Sequence, residues 1–334
     1  MVENEPLRFG IIGTGGMGAG HLAAVQATHG MTLAAVCDTD SEALHQATSD
    51  IEAPGFHDFE EMIAQVPMDG LIAALPHHLH RDVVAAACKA RIPLLKEKPL
   101  ARNMTEALEF VEMAEDAGIL FMLATQRRYN PAYARMKQIS EQLGHIFLAR
   151  GQYCFRWSRD FVWRGQWETA GGGALHDMGY HTVDMLNWYL GLPDWVDAEW
   201  RSSGFPAMDY DTDDTAVTMF GYDSGAIGYL LTTWATTPAE ETFYLHGTDG
   251  VARADQTGIV HMDTTGSVVS QEPGEGSSGI ALRNQVAHFA QCIRTGAAPL
   301  TSARANLPNM AFIEAAYRSA AEETRVSPRD FLPE

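Results

Sequence analysis

Lys98, Asp177 and His181 carry side chains suited to moving a proton or holding a developing charge, and each stands in an informative setting. Asp177 and His181 lie four apart in Gly171-Gly172-Gly173-Ala-Leu-His-Asp-Met-Gly-Tyr-His, a stretch that reads as one helix running on to Gly191. At about 100° per residue, Leu175, Met178, Thr182, Met185 and Tyr189 form a core stripe, while Asp177, His181, Asp184 and Trp188 form a second stripe that needs another reason. A carboxylate one turn from an imidazole can orient it and raise its basicity, as a general base requires. The same spacing also suits an ordinary exposed pair worth a few tenths of a kcal/mol. The three glycines upstream allow backbone to approach a ligand closely, which favours function. A metal site would need a third ligand at suitable spacing, and none stands out, so no metal is expected. Lys98 belongs to Lys96-Glu97-Lys98-Pro99, charges set directly after the apolar run Ile92 to Leu95. The proline pushes Lys98 toward extended backbone. A loop salt bridge of Glu97 with Lys96 or Lys98 is the plainer alternative.

A cofactor is expected at Phe9 to Gly20, where an apolar run breaks into glycines. Gly13, Gly15 and Gly18 fit G-x-G-x-x-G, with Thr14, Gly16 and Met17 between them. The pattern supplies a tight turn, close approach to a pyrophosphate and close packing of helix on strand. Leu7 to Ile12 precedes it as a strand, His21 to Thr28 follows as a helix, and a second strand, Thr32 to Cys37, ends in Asp38. Asp38 is placed to accept hydrogen bonds from adenosine ribose hydroxyls, which favours NAD(H), whereas Thr39 could donate to a 2'-phosphate and keeps NADP(H) possible. As alternatives, Asp38, Asp40 or Ser41 could simply cap a helix over Glu42 to Ser49. The strand Gly70 to Leu75 leads into Pro76-His77-His78-Leu79-His80. Leu75, Pro76, His77 and His80 therefore join Glu97, Lys98 and Gln126 as cofactor-lining candidates, though the histidines could equally be loop or cap residues.

These residues need a frame to hold them. Strand and helix alternate through Ile119 to Ala124, which predicts a doubly wound parallel sheet with ligands at the carboxyl ends of its strands. After Ala124 the pattern changes. A helix from Arg127 to about Leu143 is followed by a long strand, Ile146 to Trp157, and then by strands joined at hairpin length, such as across Tyr222-Asp-Ser-Gly225. The expected organisation is α/β: a Rossmann domain over 1–125 and an α+β domain over 126–334 with a mostly antiparallel open sheet. The closing helices, Leu282 to Thr295 and Ser302 to Glu323, could pack back on the first domain. Thr265 to Gly279, five of whose residues are glycine or proline, reads as a loop. Tyr153, Phe155 and Trp157 share one strand face, with Trp163, Trp167, Arg156, Arg159 and Arg164 close by. Aromatic faces with guanidinium donors suit a hydroxylated ring, so Arg127, Tyr153, Trp157, Trp163 and Arg164 join Asp177 and His181 as substrate-binding candidates. Phe155 and one tryptophan could instead be core.

At 334 residues the chain is long enough for two cores. Its formal net charge of -20 argues against nucleic acid and anionic membrane surfaces. The four cysteines, Cys37, Cys88, Cys154 and Cys292, have no metal-like spacing and read as reduced thiols. No basic segment precedes an apolar one at the N-terminus and no apolar run reaches spanning length, so a cytoplasmic protein is expected.

The glycine-rich turn, Glu97-Lys98-Pro99 and the segment from Gly171 through Asp177 to His181 together resemble the Gfo/Idh/MocA family, named for glucose-fructose oxidoreductase and inositol dehydrogenase. Val286 to Gly296 and Ala316 to Ala320 resemble its closing helices. The resemblance implies a nicotinamide-dinucleotide domain, a C-terminal open sheet carrying substrate and oligomer contacts (a homodimer or homotetramer), and Lys98, Asp177 and His181 as the catalytic set. His77 stands where many members have asparagine or aspartate. The implied activity is NAD(H)-dependent interconversion of a secondary alcohol and a ketone on a sugar, sugar derivative or cyclitol. The alternatives are a nicotinamide-dependent glycosidase of the same fold and a dinucleotide-binding regulator without turnover.

Overall fold

The computed structural model describes residues 5–49, 51–274 and 278–333. It divides into two compact units. The first holds residues up to Ala101, Thr105–Gln126 and Gly279–Asn306; the second holds Arg102–Met104, Arg127–Ser278 and the chain from Leu307 on. The second unit is thus not one continuous stretch of chain.

In chain order the first unit is built from β1 (Leu7–Ile12), α1 (Gly16–Gln26), β2 (Met31–Cys37), α2 (Ser41–Thr48), β3 (Gly55–Phe56), α3 (Phe59–Gln65), β4 (Gly70–Ala73), α4 (His80–Ala90), β5 (Leu94–Glu97), α5 (Met104–Ala117) and β6 (Phe121–Ala124). The six strands are parallel in the order β3-β2-β1-β4-β5-β6. That order reverses between β1 and β4, and a crevice at such a switch point is where doubly wound sheets take ligands. β4, β5 and β6 are buried along their whole length. Covering both faces is what makes strands read as continuous apolar runs. α2 and α3 start where Asp40 and Asp58 accept hydrogen bonds from the first-turn amides. α1 starts at Gly16, inside the glycine turn and ahead of the His21 start that apolar spacing suggests.

The second unit continues with α6 (Pro131–Ser140), β7 (Ile146–Arg156), α7 (Trp167–Ala170), α8 (Ala174–Asp177), α9 (Gly179–Leu190), β8 (Trp195–Arg201), β9 (Thr215–Gly221), β10 (Ile227–Thr233), β11 (Ala235–Gly247), β12 (Gly250–Asp255), β13 (Gly258–Met262) and β14 (Val268–Pro273). These eight strands form one sheet, β14-β13-β12-β11-β7-β10-β9-β8, antiparallel except where β10 lies parallel to β7. α10 (Ser278–Thr295) then returns to the first unit, where Phe289 meets Phe9 with ring centroids 6.0 Å apart. α11 (Leu307–Glu322) belongs to the second. Among the described residues no helix is long and apolar enough to cross a membrane.

Two expectations change. Thr265 to Gly279 is not simply a loop, because Val268–Pro273 pairs antiparallel with β13, while residues 275–277 lie outside the described residues. The stretch from Gly171 to Gly191 is not one helix: α8 and α9 are separate, with Met178 between them. The glycines ahead of α8 do not leave room for a ligand either. A Cβ on Gly173 would fall 1.8 Å from the Asp213 carbonyl oxygen, and one on Gly171 would fall 2.3 Å from that of Arg102. The close approach they allow is of the chain to itself. Buried Asp213 secures it, accepting hydrogen bonds from Gly173 N, Leu175 N and the Tyr317 hydroxyl at 2.7–2.8 Å.

Candidate active site

The glycine turn has the shape its sequence requires. Gly13 takes φ +84°, and a Cβ on Gly18 would lie 1.8 Å from Gly13 O, so any side chain there would push α1 off the strand. Gly15 caps α1 without a side chain, so no protein oxygen from the cap competes for the first-turn amides. Thr14 is buried, whereas Met17 is exposed. Asp38 is turned onto this loop: one carboxylate oxygen accepts from Thr14 N at 2.7 Å and Thr14 Oγ1 at 3.0 Å, and the other from Asp40 N at 2.9 Å. Burial works against its charge, but the hydrogen bonds from Thr14 and Asp40 outweigh it and hold its pKa below the usual carboxylate value. The helix cap at this position is Asp40. Thr39 is exposed and lines a cleft of about 960 Å³ between α3 and α4 with His57 and Phe59. His57, whose Nδ1 lies 2.9 Å from Asp38 O, carried no signal in the sequence. Beyond β4, Leu75 and Pro76 are half-buried and lead into a 3-10 turn over His77–Leu79; His77 and His80 are both buried. The glycine cradle, the open cap and the ionised Asp38 at the end of β2 fit a dinucleotide.

The charged cluster, whose Lys96 and Glu97 are the last two residues of β5 and do not follow it as the apolar run suggested, is a scaffold around Lys98. Lys96, 1% exposed, donates from Nζ to Glu97 O at 2.8 Å and to Pro99 O at 2.6 Å, the carbonyls on either side of Lys98. Burial brings its pKa down to about 7. Glu97 does not bind Lys96 through its carboxylate, as the salt-bridge alternative would have it. Its Oε1 lies 2.8 Å from His21 Nε2, both groups being buried, and its Oε2 accepts from Lys98 N at 3.3 Å. Lys98 itself is half-buried, and Gln126 is buried just beyond β6. His21 was missed in the sequence reading. Its signal is a histidine on the side of α1 that carries Gly18, Ala24 and Val25 inward.

In the second unit His181 is 3% exposed on the first turn of α9, and its ring centroid lies 6.2 Å from that of Tyr153. Asp177, buried at the end of α8, accepts from Arg164 Nε at 2.8 Å. Arg164 lies over the ring of Trp163 at 4.2 Å and that of Trp157 at 5.2 Å. Tyr153 and Phe155 neighbour each other at 5.7 Å along β7. Trp157 continues into an aromatic cluster with Phe161 and Trp234, so its outer neighbours are protein. Arg127 gives Nε and one Nη to Glu241 at 2.5 and 2.9 Å and reaches the Tyr153 hydroxyl at 3.4 Å. The remaining members of the polar stripe on α9 have a structural task. Asp184, fully buried, accepts from Arg128 at 2.7–3.1 Å and from Asn309 at 2.8 Å, and Arg128 lies over Trp188. Glu241 was another residue that sequence reading passed over. Among the described residues no three His, Cys, Asp or Glu side chains are grouped to hold a metal ion.

Known proteins resemble this chain in sequence and fold. Residues 7–125 match the model of an oxidoreductase family with an NAD-binding Rossmann fold, and residues 133–253 match the GFO/IDH/MocA C-terminal domain. The chain is 30% identical to levoglucosan dehydrogenase of Pseudarthrobacter phenanthrenivorans over 74% of its length and 73% of that protein's. It is 28% identical to D-xylose 1-dehydrogenase (NADP(+)) 2 of Haloferax volcanii over 94% of its length and 97% of the relative's. The WlbA dehydrogenase of Bordetella pertussis, solved with NADH and UDP-GlcNAcA, superposes with a TM-score of 0.81 at 27% identity, covering 99% of this chain and all of that one. A levoglucosan dehydrogenase solved with NADH and levoglucosan superposes with a TM-score of 0.88 at 24% identity, over 97% of this chain and 99% of that one. With both of its units matched in chain order and a curated relative at this identity, the chain belongs to the Gfo/Idh/MocA family of oxidoreductases.

Proposed function

We propose that this oxidoreductase interconverts a secondary alcohol and a ketone on a sugar, sugar derivative or cyclitol, with NAD(H) as the preferred cofactor. Buried His181 beside the Tyr153 ring, four residues after buried Asp177 and across the break at Met178, is the observation that carries the reading. A bound nicotinamide supplies the chemistry the side chains lack, accepting or giving a hydride. His181 takes or returns the hydroxyl proton. Lys98, its backbone clamped by Glu97 and Lys96, stabilises the charge that develops on the carbinol oxygen. Asp177 supports His181, with Arg164 fixing the carboxylate. Tyr153 and Phe155 offer apolar faces to a carbohydrate ring. The names of relatives support this substrate class, since they include dehydrogenases of levoglucosan, xylose and apiose and inositol 2-dehydrogenase. A panel of sugars and polyols read by nicotinamide absorbance tests it. Silence across the panel with both cofactors would contradict the assignment.

The glycine turn, Asp38 and the strand-end residues Leu75, Pro76, His77 and His80 would hold the dinucleotide. Asp38 supports NAD(H) because a 2'-phosphate beside it would meet a charge already fixed by Thr14 and Asp40. Like charges about 4 Å apart near a protein surface cost about 4 kcal/mol before screening, and a third of that is about tenfold in affinity. Fluorescence titration with NADH and NADPH decides it; tighter NADPH binding would overturn the preference. Val217, Met219 and Ile227 leave an apolar patch open on the second sheet. This patch supports a homodimer or homotetramer built through that sheet, to be checked by light scattering.

A further inference from the structure

Beside Tyr153 a cleft of about 530 Å³ opens where β11 bulges between Ala235 and Glu240, opposite Cys154 to Arg156 of β7. Tyr153 and Phe155 give it an aromatic wall, and Glu240, Glu241, Arg253 and Asp255 give it charge. Its guanidiniums are already matched. Arg253 pairs with Asp255 at 2.7 Å. Arg127, behind Glu241 and 6% exposed, makes two hydrogen bonds to the two oxygens of that carboxylate. Glu241 is held in place for this task by the Tyr133 hydroxyl at 3.2 Å and by Gln256 Nε2. Glu240 remains on the rim, exposed. Nearby, Arg164 is committed to Asp177.

We infer that Glu241 sets the substrate class: by occupying Arg127 it makes this cleft take neutral polyhydroxylated molecules and reject uronates and other acidic sugars. The inference deepens the dehydrogenase reading and rests on it. An acidic ligand would have two routes into the cleft. It could displace Glu241 from a bidentate guanidinium, which leaves a largely buried carboxylate without its counter-charge. Or it could lie beside Glu240 and Glu241, where the carboxylates outnumber the guanidiniums and like charges repel. A neutral ring meets neither obstacle. Its hydroxyls can donate to the carboxylates while its C–H face lies on Tyr153 and Phe155.

The test compares matched pairs, such as a hexose and its uronate, on the NADH-loaded protein by calorimetric titration and, with NAD+, by kcat/KM for NADH formation. The neutral member of a pair that binds is expected to be favoured by about tenfold or more. Glu241→Gln, which lifts the cancellation of Arg127, should move the ratio toward the uronate by about tenfold. A wild-type protein that binds or turns over the uronate as well as its neutral partner would overturn the inference and leave the dehydrogenase reading intact. Selective binding of neutral sugars with no turnover would do the reverse. The wild-type comparison decides the matter even if Glu241→Gln fails to fold.

Discussion

Lys96→Met has an energetic consequence whose sign follows from where the ammonium sits. Burial, opposed in part by Glu97 and Glu106, brings the Lys96 pKa from 10.5 to about 7 in the fold. Between those values the unfolded chain holds the proton and the folded chain has released it, so stability rises with pH across the window. The full cost of burying the charge is felt below about pH 7 and is relieved toward pH 10.5. At about 1.4 kcal/mol per pH unit, raising the pH from about 7.5 to about 9.5 should stabilise the wild type by roughly 2.5 kcal/mol. Methionine cannot titrate, so the variant lacks this gain. It also leaves the Glu97 and Pro99 carbonyls without the Nζ donor, a pH-independent loss of about 1–3 kcal/mol for each carbonyl that stays dry. Urea unfolding of both proteins at both pH values isolates the effect, because every other titrating group is common to the pair. A stability difference between the two that stays constant across that range would mean that Lys96 keeps an ordinary pKa in the fold.

Other substitutions separate chemistry from scaffold. His181→Asn should lower turnover by about a hundredfold to ten-thousandfold and flatten the pH–rate profile, measured as single-turnover hydride transfer with NADH affinity followed separately. Asp184→Ala should destabilise by about 3–5 kcal/mol, because it strands the buried Arg128 guanidinium; thermal unfolding reads this directly. Gly18→Ala places a methyl 1.8 Å from Gly13 O and should weaken NADH binding by about tenfold or more while circular dichroism shows a folded protein.

Legibility in the sequence followed the range of the interactions concerned. The parallel sheet was visible because runs such as Gly70–Ala73 and Phe121–Ala124 are apolar along their whole length and glycines or helix caps punctuate the chain between strands. The glycine turn was visible because Gly18 answers a contact with Gly13, five residues away, and Gly13 one with Ala74 across a neighbouring strand, while Gly15 faces open space. What escaped depends on partners far along the chain. Arg127 meets Glu241 across 114 residues, Asp184 meets Asn309 across 125, and neither spacing leaves a local pattern. The stripe of Asp177, His181, Asp184 and Trp188 looked like one functional face. In the fold a break at Met178 divides it, and Arg128 claims its lower half. The three glycines before α8 read as a site of close approach to a ligand, and spacing alone could not say that the approaching groups are Asp213 and Arg102. β14 was hidden because its residues are almost all exposed, and what holds it, the pairing with β13 and the ion pair of Glu272 with Arg135, comes from partners elsewhere in the chain.

Hydride transfer coupled to a proton held by His181, as proposed, is tested most directly by isotope transfer. A polyol or sugar that the enzyme oxidises, deuterated at the reacting carbinol carbon, is incubated with NAD+, and both products are followed by mass spectrometry and NMR. The expected result is one deuterium on the reduced nicotinamide for each ketone formed, with the same stoichiometry at reduced rate in His181→Asn. Cleavage of a glycoside with no net NADH, or a ketone whose deuterium appears in water and not on the nicotinamide, would contradict it.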